Sequence, residues 1–174
     1  MRTVTAAALL LASLLGAACA GSSTPGGGAA TAPGAPAVFA SAPPYASSRP
    51  AVSAVAAHAA KGAPVPTGTP CLSCHKSGGA PAFTFAGSVY TDDARAAPNP
   101  DAEISVLDAS GKERIAHADA DGNFWVKGDA LALPAHAGAR QGAKVVKMGG
   151  AVDNADCNGC HDAKFPVALT PPKP

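Results

Sequence analysis

Two short motifs with the same spacing restrict this chain more than any other feature of its sequence. Cys-Leu-Ser-Cys-His occupies positions 71–75, and Cys-Asn-Gly-Cys-His occupies positions 157–161. The chain has 174 residues and five cysteines, and four of these cysteines lie in the two motifs. The fold must therefore present two thiols and an imidazole on one short stretch of backbone, at two separate places.

The first twenty residues have the pattern of an export signal. Arg2 is followed by an apolar run from Val4 to Leu15 and then by small residues. This layout is typical of a secretory signal peptide, and the run is too short for a transmembrane helix. We therefore expect a bacterial protein that is exported to the periplasm, or to the outer membrane or cell surface as a lipoprotein. No later stretch is long and apolar enough to predict a transmembrane helix.

The fifth cysteine, Cys19, directly follows the apolar run. The sequence Leu-Gly-Ala-Ala-Cys resembles a bacterial lipobox, although Gly16 stands where a large apolar residue is usual. Lipidation of Cys19 would anchor the protein to a membrane, whereas an ordinary signal peptidase would remove this residue. We favour lipidation, because a cysteine at this position otherwise has no role. Either route leaves the four motif cysteines as those of the mature domain.

The composition changes after the signal and again near the first motif. Residues 21–67 are rich in Ala, Pro, Gly and Ser, which predicts a flexible linker, with a short helix within residues 52–61. Residues 68–174 suffice for one domain. Removing Arg2 with the signal lowers the formal net charge from +1 to zero, which argues against nucleic acid as a partner.

The stretch between the motifs has the alternation of β-strands. Phe83, Phe85 and Val89 are expected on one face of a strand over residues 83–90. Asp-x-x-Gly and Asp-Gly-Asn sequences predict turns between strands. The further runs that predict strands are 102–108, 112–118, 124–127, 131–133 and 143–148. The chain is thus predicted to be mostly β, with a small antiparallel β-sandwich flanked by the two motif segments.

Residues 83–126 also resemble the carboxypeptidase regulatory-like, or transthyretin-like, β-sandwich. The resemblance rests on the Gly-x-Val opening, the apolar strand before an Asp-x-x-Gly turn, and the later Asp-Gly-Asn-Phe sequence. It covers about a quarter of the chain. It implies a fold and says almost nothing about function.

Residues 119–123 contain acidic side chains that require comparison with a calcium-binding loop. An EF-hand loop has glycine at its sixth position and glutamate at its twelfth. Counted from Asp119, Gly122 falls at the fourth position, and no glutamate follows. We therefore interpret this stretch as a hairpin turn.

A haem is the group whose chemistry matches both motifs. Two thiols three residues apart can each form a thioether with a haem vinyl group, and the next histidine then lies beneath the iron. The motifs resemble those of c-type cytochromes, and among these the small exported dihaem proteins. This resemblance implies two covalent haem c groups. Their attachment sites are Cys71, Cys74, Cys157 and Cys160, and their proximal iron ligands are His75 and His161.

Three other uses of the cysteines remain open at this point. A zinc tetrathiolate would use all four motif cysteines, but it would leave both histidines without a role. Two disulfides are compatible with an exported protein, although Cys-x-x-Cys closes a tight loop. A thioredoxin-like redox site needs a βαβ context, which the sequence does not predict.

The sixth ligand of each iron is not specified by the motifs. The distal candidates are Met148, His136, His117 and His58. His58 precedes Cys71 by 13 residues and reaches a haem there only if the linker folds back. His136 is expected in a loop, and Met148 at the end of an apolar strand before the second motif. A methionine ligand would raise the iron potential relative to a pair of histidines.

These features predict an electron carrier rather than an enzyme. We expect redox proteins or other cytochromes as partners, and we expect the two haems to lie close together. A dihaem peroxidase or a haem-based gas sensor is an alternative, which requires an open iron site. A cell-surface binding module built on the β-sandwich is another.

Overall fold

The computed structural model describes residues 37–76, 81–161 and 166–169. The export signal, Cys19 and the first part of the linker lie outside the described residues. Within the described ranges, no helix is long and apolar enough to cross a membrane. The elements in chain order are α1 (Ala54–Ala59), β1 (Phe83–Tyr90), β2 (Glu103–Leu107), β3 (Glu113–His117), β4 (Asn123–Lys127), β5 (His136–Gln141), β6 (Lys144–Lys147), α2 (Cys157–Cys160) and β7 (Val167–Ala168).

The strands form two sheets, and the described part of the chain is mostly β, as predicted. One sheet has the order β4-β1-β7 and the other has the order β3-β2-β5-β6. The second sheet is antiparallel throughout. The first sheet is mixed, because β7 pairs with β1 in parallel. An isolated parallel bridge between Ala86 and Asp156 shows that the second motif also begins beside β1.

Both sheets contribute to one hydrophobic core. Phe85, Val89 and Phe124 come from the β4-β1-β7 sheet, and Ile104 and Val106 come from β2 in the other sheet. All five side chains are buried. This arrangement is that of a β-sandwich, in which the apolar face of each sheet is removed from water by the other.

The strand predictions are confirmed where hydrophobic alternation is clear. β1 has the predicted bounds, and β2, β3 and β6 lie within the predicted runs. β4 begins one residue before its predicted run. The run that begins at Leu131 forms no strand. β5 was not predicted, because its sequence His-Ala-Gly-Ala-Arg-Gln has no bulky alternation. It forms because β2 and β6 supply hydrogen-bond partners on both of its sides.

One residue of β1 departs from the expected alternation. The pairing of β1 with β4 shifts its register between Phe83 and Phe85. Such a β-bulge turns the side chains on its two sides toward different faces. Phe85 therefore lies in the core, whereas Phe83 leaves it and stacks near Trp125, with 6.1 Å between the ring centroids.

The segment from residue 37 to residue 67 lies against the sandwich, which differs from the flexible linker expected there. Val38 is buried, and the backbone N–H of Phe39 donates a hydrogen bond to the Glu113 carboxylate. The Tyr45 hydroxyl donates to the carbonyl of Asp101 at 2.8 Å. Composition did not indicate these contacts, because each depends on a partner that lies more than fifty residues away in the sequence.

A buried ion pair holds the middle of this segment. The guanidinium of Arg140 donates to the Glu103 carboxylate at 2.5 Å and to the carbonyl of Pro43 at 2.7 Å. The other carboxylate oxygen of Glu103 accepts the N–H of Ala46 at 3.1 Å. A buried charge pair is tolerated when further hydrogen bonds satisfy both of its groups. The backbone of Pro43 and Ala46 supplies these hydrogen bonds, one to Arg140 and one to Glu103.

The turn between β3 and β4 fixes the position of α1. The buried Asp119 carboxylate accepts the N–H groups of Asp121 and Asn123, both at 2.9 Å, and so forms the predicted hairpin turn. Its other oxygen accepts the N–H of Ala54 at 2.7 Å. Ser53, which caps α1, also donates to the Asp121 carboxylate at 2.5 Å. The helix predicted within residues 52–61 is thus confirmed, and its N-terminus is attached to the sandwich.

The turn between β2 and β3 contains a carboxylate with several donors. Asp108 accepts hydrogen bonds from the Ser110 hydroxyl and the Arg114 guanidinium, both at 2.5 Å, and from the N–H of Lys112 at 3.0 Å. The Ser110 hydroxyl first, and then Arg114, lower the pKa of Asp108 well below its ordinary value of 3.8. A lowered pKa means that the ionised form stabilises the folded state.

We predict that Asp108→Asn lowers the unfolding midpoint at pH 7, and that this loss shrinks as the pH falls. The ionised carboxylate stabilises the fold above its ordinary pKa of 3.8, and protonation removes this stabilisation in acid. Thermal unfolding of the full chain between pH 2 and pH 7, followed by circular dichroism, would measure the difference. Asp129→Asn, at an exposed position, is the matched control. A midpoint difference that is the same at every pH would contradict the prediction.

Candidate functional site

Each Cys-x-x-Cys-His motif folds into a single helical turn. The first contains a 3-10 turn at Cys71–Ser73, and the second contains α2. In the first motif the N–H of His75 donates to the carbonyl of Cys71 at 3.0 Å, and in the second the N–H of His161 donates to the carbonyl of Cys157 at 2.8 Å. One helical turn brings residues three and four apart to the same side. Both motifs therefore share the hydrogen bond from the histidine N–H to the carbonyl of the first cysteine.

A buried carboxylate joins the two motifs. Asp156 precedes the second motif, and its carboxylate accepts the N–H of Cys71 at 3.1 Å and the N–H of Leu72 at 2.8 Å. These N–H groups belong to the first turn of the first motif, where a helix has no internal partner for them. Burial raises the pKa of Asp156, and the hydrogen bonds from Leu72 and Cys71 oppose this shift. The two motifs, 86 residues apart in sequence, are thus direct neighbours.

A second buried residue fixes both motifs to β1. Asn158 lies inside the second motif and is 4% exposed. Its amide nitrogen donates to the carbonyl of Thr69 at 2.8 Å, just before the first motif, and to the Ser88 hydroxyl at 3.2 Å. Its amide oxygen accepts the N–H of Ser88 at 2.9 Å. The side chain therefore connects the first motif, the second motif and the central strand of one sheet.

The close packing of α2 on β1 depends on a glycine. A Cβ atom at Gly87 would lie 2.7 Å from the Cβ of Cys157 and 2.7 Å from the Phe124 ring. Both distances are far below van der Waals contact. The absence of a side chain at residue 87 thus allows the second motif to lie directly on the sheet.

An apolar pocket of about 640 Å³ opens beside the first motif. Its wall combines α1, the first motif and one face of β1 and β4. The lining residues that bear on its chemistry are His58, Cys71, Cys74, His75, Phe83 and Trp125. Such a volume, apolar with a few polar groups, is typical of a site for a small molecule or cofactor. Two exposed cations, Lys61 and Lys127, also line it.

Four rings form a series along this pocket. His58 and His75 are parallel within 1°, with 5.8 Å between their centroids. His75 stacks on Phe83 at 4.2 Å, and Phe83 lies near Trp125. The Nδ1 atom of His75 lies 2.8 Å from the carbonyl oxygen of Pro81, and that of His58 lies 3.0 Å from the carbonyl oxygen of Pro64. The structure thus brings His58 to the first motif.

The other distal candidates do not line this pocket. His117 lies at the end of β3, where its buried Nδ1 has no hydrogen-bond partner and is 3.6 Å from the Glu103 carboxylate. The prediction that His136 lies in a loop is wrong, because this residue begins β5. Met148 follows β6 and is 42% exposed.

Two motif thiols lie in surroundings that keep them protonated. Burial raises the pKa of Cys71 and that of Cys157 to about 12, and the nearby carboxylate of Asp156 contributes to both shifts. Dithiol redox exchange uses the thiolate, which a raised pKa disfavours. In residues 37–76, 81–161 and 166–169, no three or more His, Cys, Asp and Glu side chains are placed to hold a metal ion. This arrangement gives no support to a zinc tetrathiolate.

The same arrangement is compatible with a haem. A porphyrin supplies four nitrogen ligands itself, so the protein needs to supply only axial ligands and thioether sites. The pocket beside the first motif presents two thiols, two imidazoles and aromatic walls. In the second motif, Cys157, Cys160 and His161 are half-buried. Residues 162–165 lie outside the described part of the chain.

A scan against models of protein families, and searches among curated proteins and solved structures, found no match to this chain. The resemblances to c-type cytochromes and to the transthyretin-like sandwich therefore stay predictions. What bears on function is the chemistry of the two motifs and the geometry that surrounds them.

Three site residues were not found from the sequence. Asp156 and Asn158 flank Cys157, but no spacing rule distinguishes a polar residue next to a motif from an exposed one. Gly87 follows an alanine in an apolar strand and gives no turn signal. Their roles depend on β1 and the first motif, which only the folded chain places beside the second motif.

We predict that Gly87→Ala destabilises the protein by about 1–3 kcal/mol, the usual range for overpacking a tight contact. The added methyl would collide with Cys157 and Phe124 and would push α2 away from β1. Denaturant unfolding of the full chain would measure the change. Gly149→Ala is the matched control, since a Cβ at this position meets nothing within 4 Å. Equal unfolding midpoints for the two variants would refute the role of Gly87.

Proposed function

We propose that the protein is an exported c-type cytochrome that carries electrons on two covalently attached haems. Cys71 and Cys74 would hold one haem, and Cys157 and Cys160 the other. When bound, each haem supplies an iron that accepts and releases one electron. The observation that carries the proposal is the junction at Asp156, whose hydrogen bonds make the two Cys-x-x-Cys-His motifs neighbours in space.

The protein's own contribution is to fix the axial ligands and to limit the access of water. The hydrogen bond from His75 Nδ1 to the carbonyl of Pro81 orients the imidazole and leaves Nε2 for the iron. His161 has the equivalent position in the second motif. Phe83 and Trp125 form an apolar wall beside the first motif, which would lower the local dielectric around a bound haem.

The composition of the pocket favours electron transfer over peroxidase chemistry. A peroxidase needs an open iron with an acid–base group beside it. The described lining residues include no carboxylate, and the ring of His58 lies only 5.8 Å from that of His75, where it would close the iron site rather than act beside an open one. The two cations of the pocket, Lys61 and Lys127, lie at exposed positions. These cations are suited to pair with the carboxylates that a haem carries on one edge. The partners would be redox proteins or other cytochromes that approach the motif side of the sandwich.

Export and membrane attachment belong to the same proposal. Residues 1–20 would direct the chain out of the cytoplasm, and lipidation of Cys19 would anchor it to the membrane. The haem-binding domain would include residues 38–59 as well as residues 68–174, because the contacts of Val38, Tyr45 and α1 tie that segment to the sandwich.

We predict that the full chain, expressed with cytochrome c maturation machinery, gains the mass of two haems. A pyridine haemochrome spectrum should show thioether-bound haem. The Cys71→Ser/Cys74→Ser variant and the Cys157→Ser/Cys160→Ser variant should each retain one haem, and the variant with all four changes should retain none. A mass equal to that of the bare or zinc-loaded polypeptide would end the proposal.

We also predict that the two haems influence each other, because Asp156 bonds the turns that carry them. Reduction of one haem should shift the potential of its neighbour, and the ferric spectrum in electron paramagnetic resonance should show magnetic coupling. The two single-haem variants provide the uncoupled references. If their titration curves add up to that of the intact protein, and if no magnetic coupling is seen, the haems are not close.

A further inference from the structure

The histidine that faces the first motif comes from the segment that the sequence assigned to a linker. His58 lies on α1, and its ring centroid is 5.8 Å from that of His75. Two imidazoles that bind one metal ion from opposite sides, through metal–nitrogen bonds of about 2 Å, have centroids roughly 6 Å apart. The separation in the structure is close to this value. Two packed aromatic rings can have a similar separation, so the pair requires a second observation.

The second observation is that both rings are held through the same nitrogen. Nδ1 of His58 lies 3.0 Å from the carbonyl oxygen of Pro64, and Nδ1 of His75 lies 2.8 Å from that of Pro81. A carbonyl oxygen only accepts hydrogen bonds, so each Nδ1 must carry the proton. Nε2 is then the nitrogen of each ring that is left for a metal ion. A backbone carbonyl that holds one nitrogen of an imidazole is typical of histidines that bind a metal through the other.

The backbone that carries His58 is held in place before any ligand binds. The N-terminus of α1 is attached to the β3–β4 turn by the bond from the Ala54 N–H to Asp119 and by the bond from the Ser53 hydroxyl to Asp121. The hydrogen bond to Pro64, which lies between α1 and the first motif in the sequence, then fixes the ring of His58. An axial ligand that is positioned in this way loses little conformational entropy when it binds.

From this geometry we propose that His58 is the distal axial ligand of the haem attached to Cys71 and Cys74, opposite His75. The inference rests on the proposed function and selects one of the four distal candidates for this haem. His117, His136 and Met148 do not line the same pocket. A bis-histidine iron is coordinatively saturated and has a lower potential than a histidine–methionine iron. The first haem is thereby an electron carrier without a free site for small ligands.

The test is the His58→Phe variant of the full-length dihaem protein. Phenylalanine keeps an aromatic ring in the pocket but removes the ligating nitrogen. We expect about half of the ferric haem to change from low spin to high spin, and we expect the reduced variant to bind one additional carbon monoxide per molecule. Absorption and electron paramagnetic resonance spectra would follow the change. A low-spin fraction and a carbon monoxide stoichiometry equal to those of the unchanged protein would overturn the inference.

Two further variants separate ligation from a structural role. His58→Met should restore the low-spin state and raise the potential of one haem, which a merely structural residue would not do. Ala59→Phe is the control on the same helix, because it places a phenylalanine at an exposed position outside the pocket lining, and it should leave the spin state and carbon monoxide binding unchanged. A spectral change in Ala59→Phe equal to that in His58→Phe would count against the assignment.

Failure of the inference can be distinguished from failure of the proposed function. The pyridine haemochrome spectrum and the mass report covalent haem whatever its axial ligands are. Two haems with an unaffected spin state in His58→Phe would refute only the ligand assignment, whereas absence of haem would refute both. If the variant does not mature, near-infrared magnetic circular dichroism of the unchanged protein decides. The inference requires a bis-imidazole signature, and its absence overturns the inference.

Discussion

The hydrogen bonds from the first motif to the Asp156 carboxylate are the interaction on which the arrangement of the site depends. They cross-link two helical turns, each too short to be stable alone, because a single turn pays the cost of nucleation without the benefit of propagation. Asp156 satisfies two N–H groups of the turn at Cys71, and Asn158 ties both turns to β1. The sandwich therefore acts as a rigid support on which the two motifs are placed side by side.

The first motif also depends on two deviations from regular structure. The β-bulge between Phe83 and Phe85 turns Phe83 out of the core, so that its ring packs on His75. The segment before the motif folds back over the sandwich and brings α1 to the same pocket. These two features place the rings of Phe83 and His58 beside His75, which the motif alone would leave exposed. A pocket with several fixed walls orients a bound group more closely than a single helical turn would.

Buried charge has two different roles in this fold. Glu103 and Arg140 form a buried salt bridge whose two side chains also hydrogen-bond to the backbone of Pro43 and Ala46. This salt bridge therefore joins the segment of residues 37–67 to the β3-β2-β5-β6 sheet. Asp156 instead has no cationic partner among the contacts described, and backbone N–H groups satisfy it. Burial raises the pKa of this carboxyl, and the hydrogen bonds from these N–H groups oppose the shift. The first arrangement stabilises the domain, and the second fixes the relation between the motifs.

The sequence by itself was enough to single out the two Cys-x-x-Cys-His motifs and to predict most of the strands. Both depend only on spacing or alternation along a short stretch of chain. The bounds of β1 follow directly from such a pattern. Only the tertiary structure decided that β5 forms, that residues 37–67 pack on the sandwich, and that His58 rather than His117 faces the first motif. Each of these outcomes depends on partners far away in the sequence, such as Glu103 with Arg140 and Asp119 with Ala54. Local periodicity has no access to such pairs, because their energy arises only when the chain has brought them together.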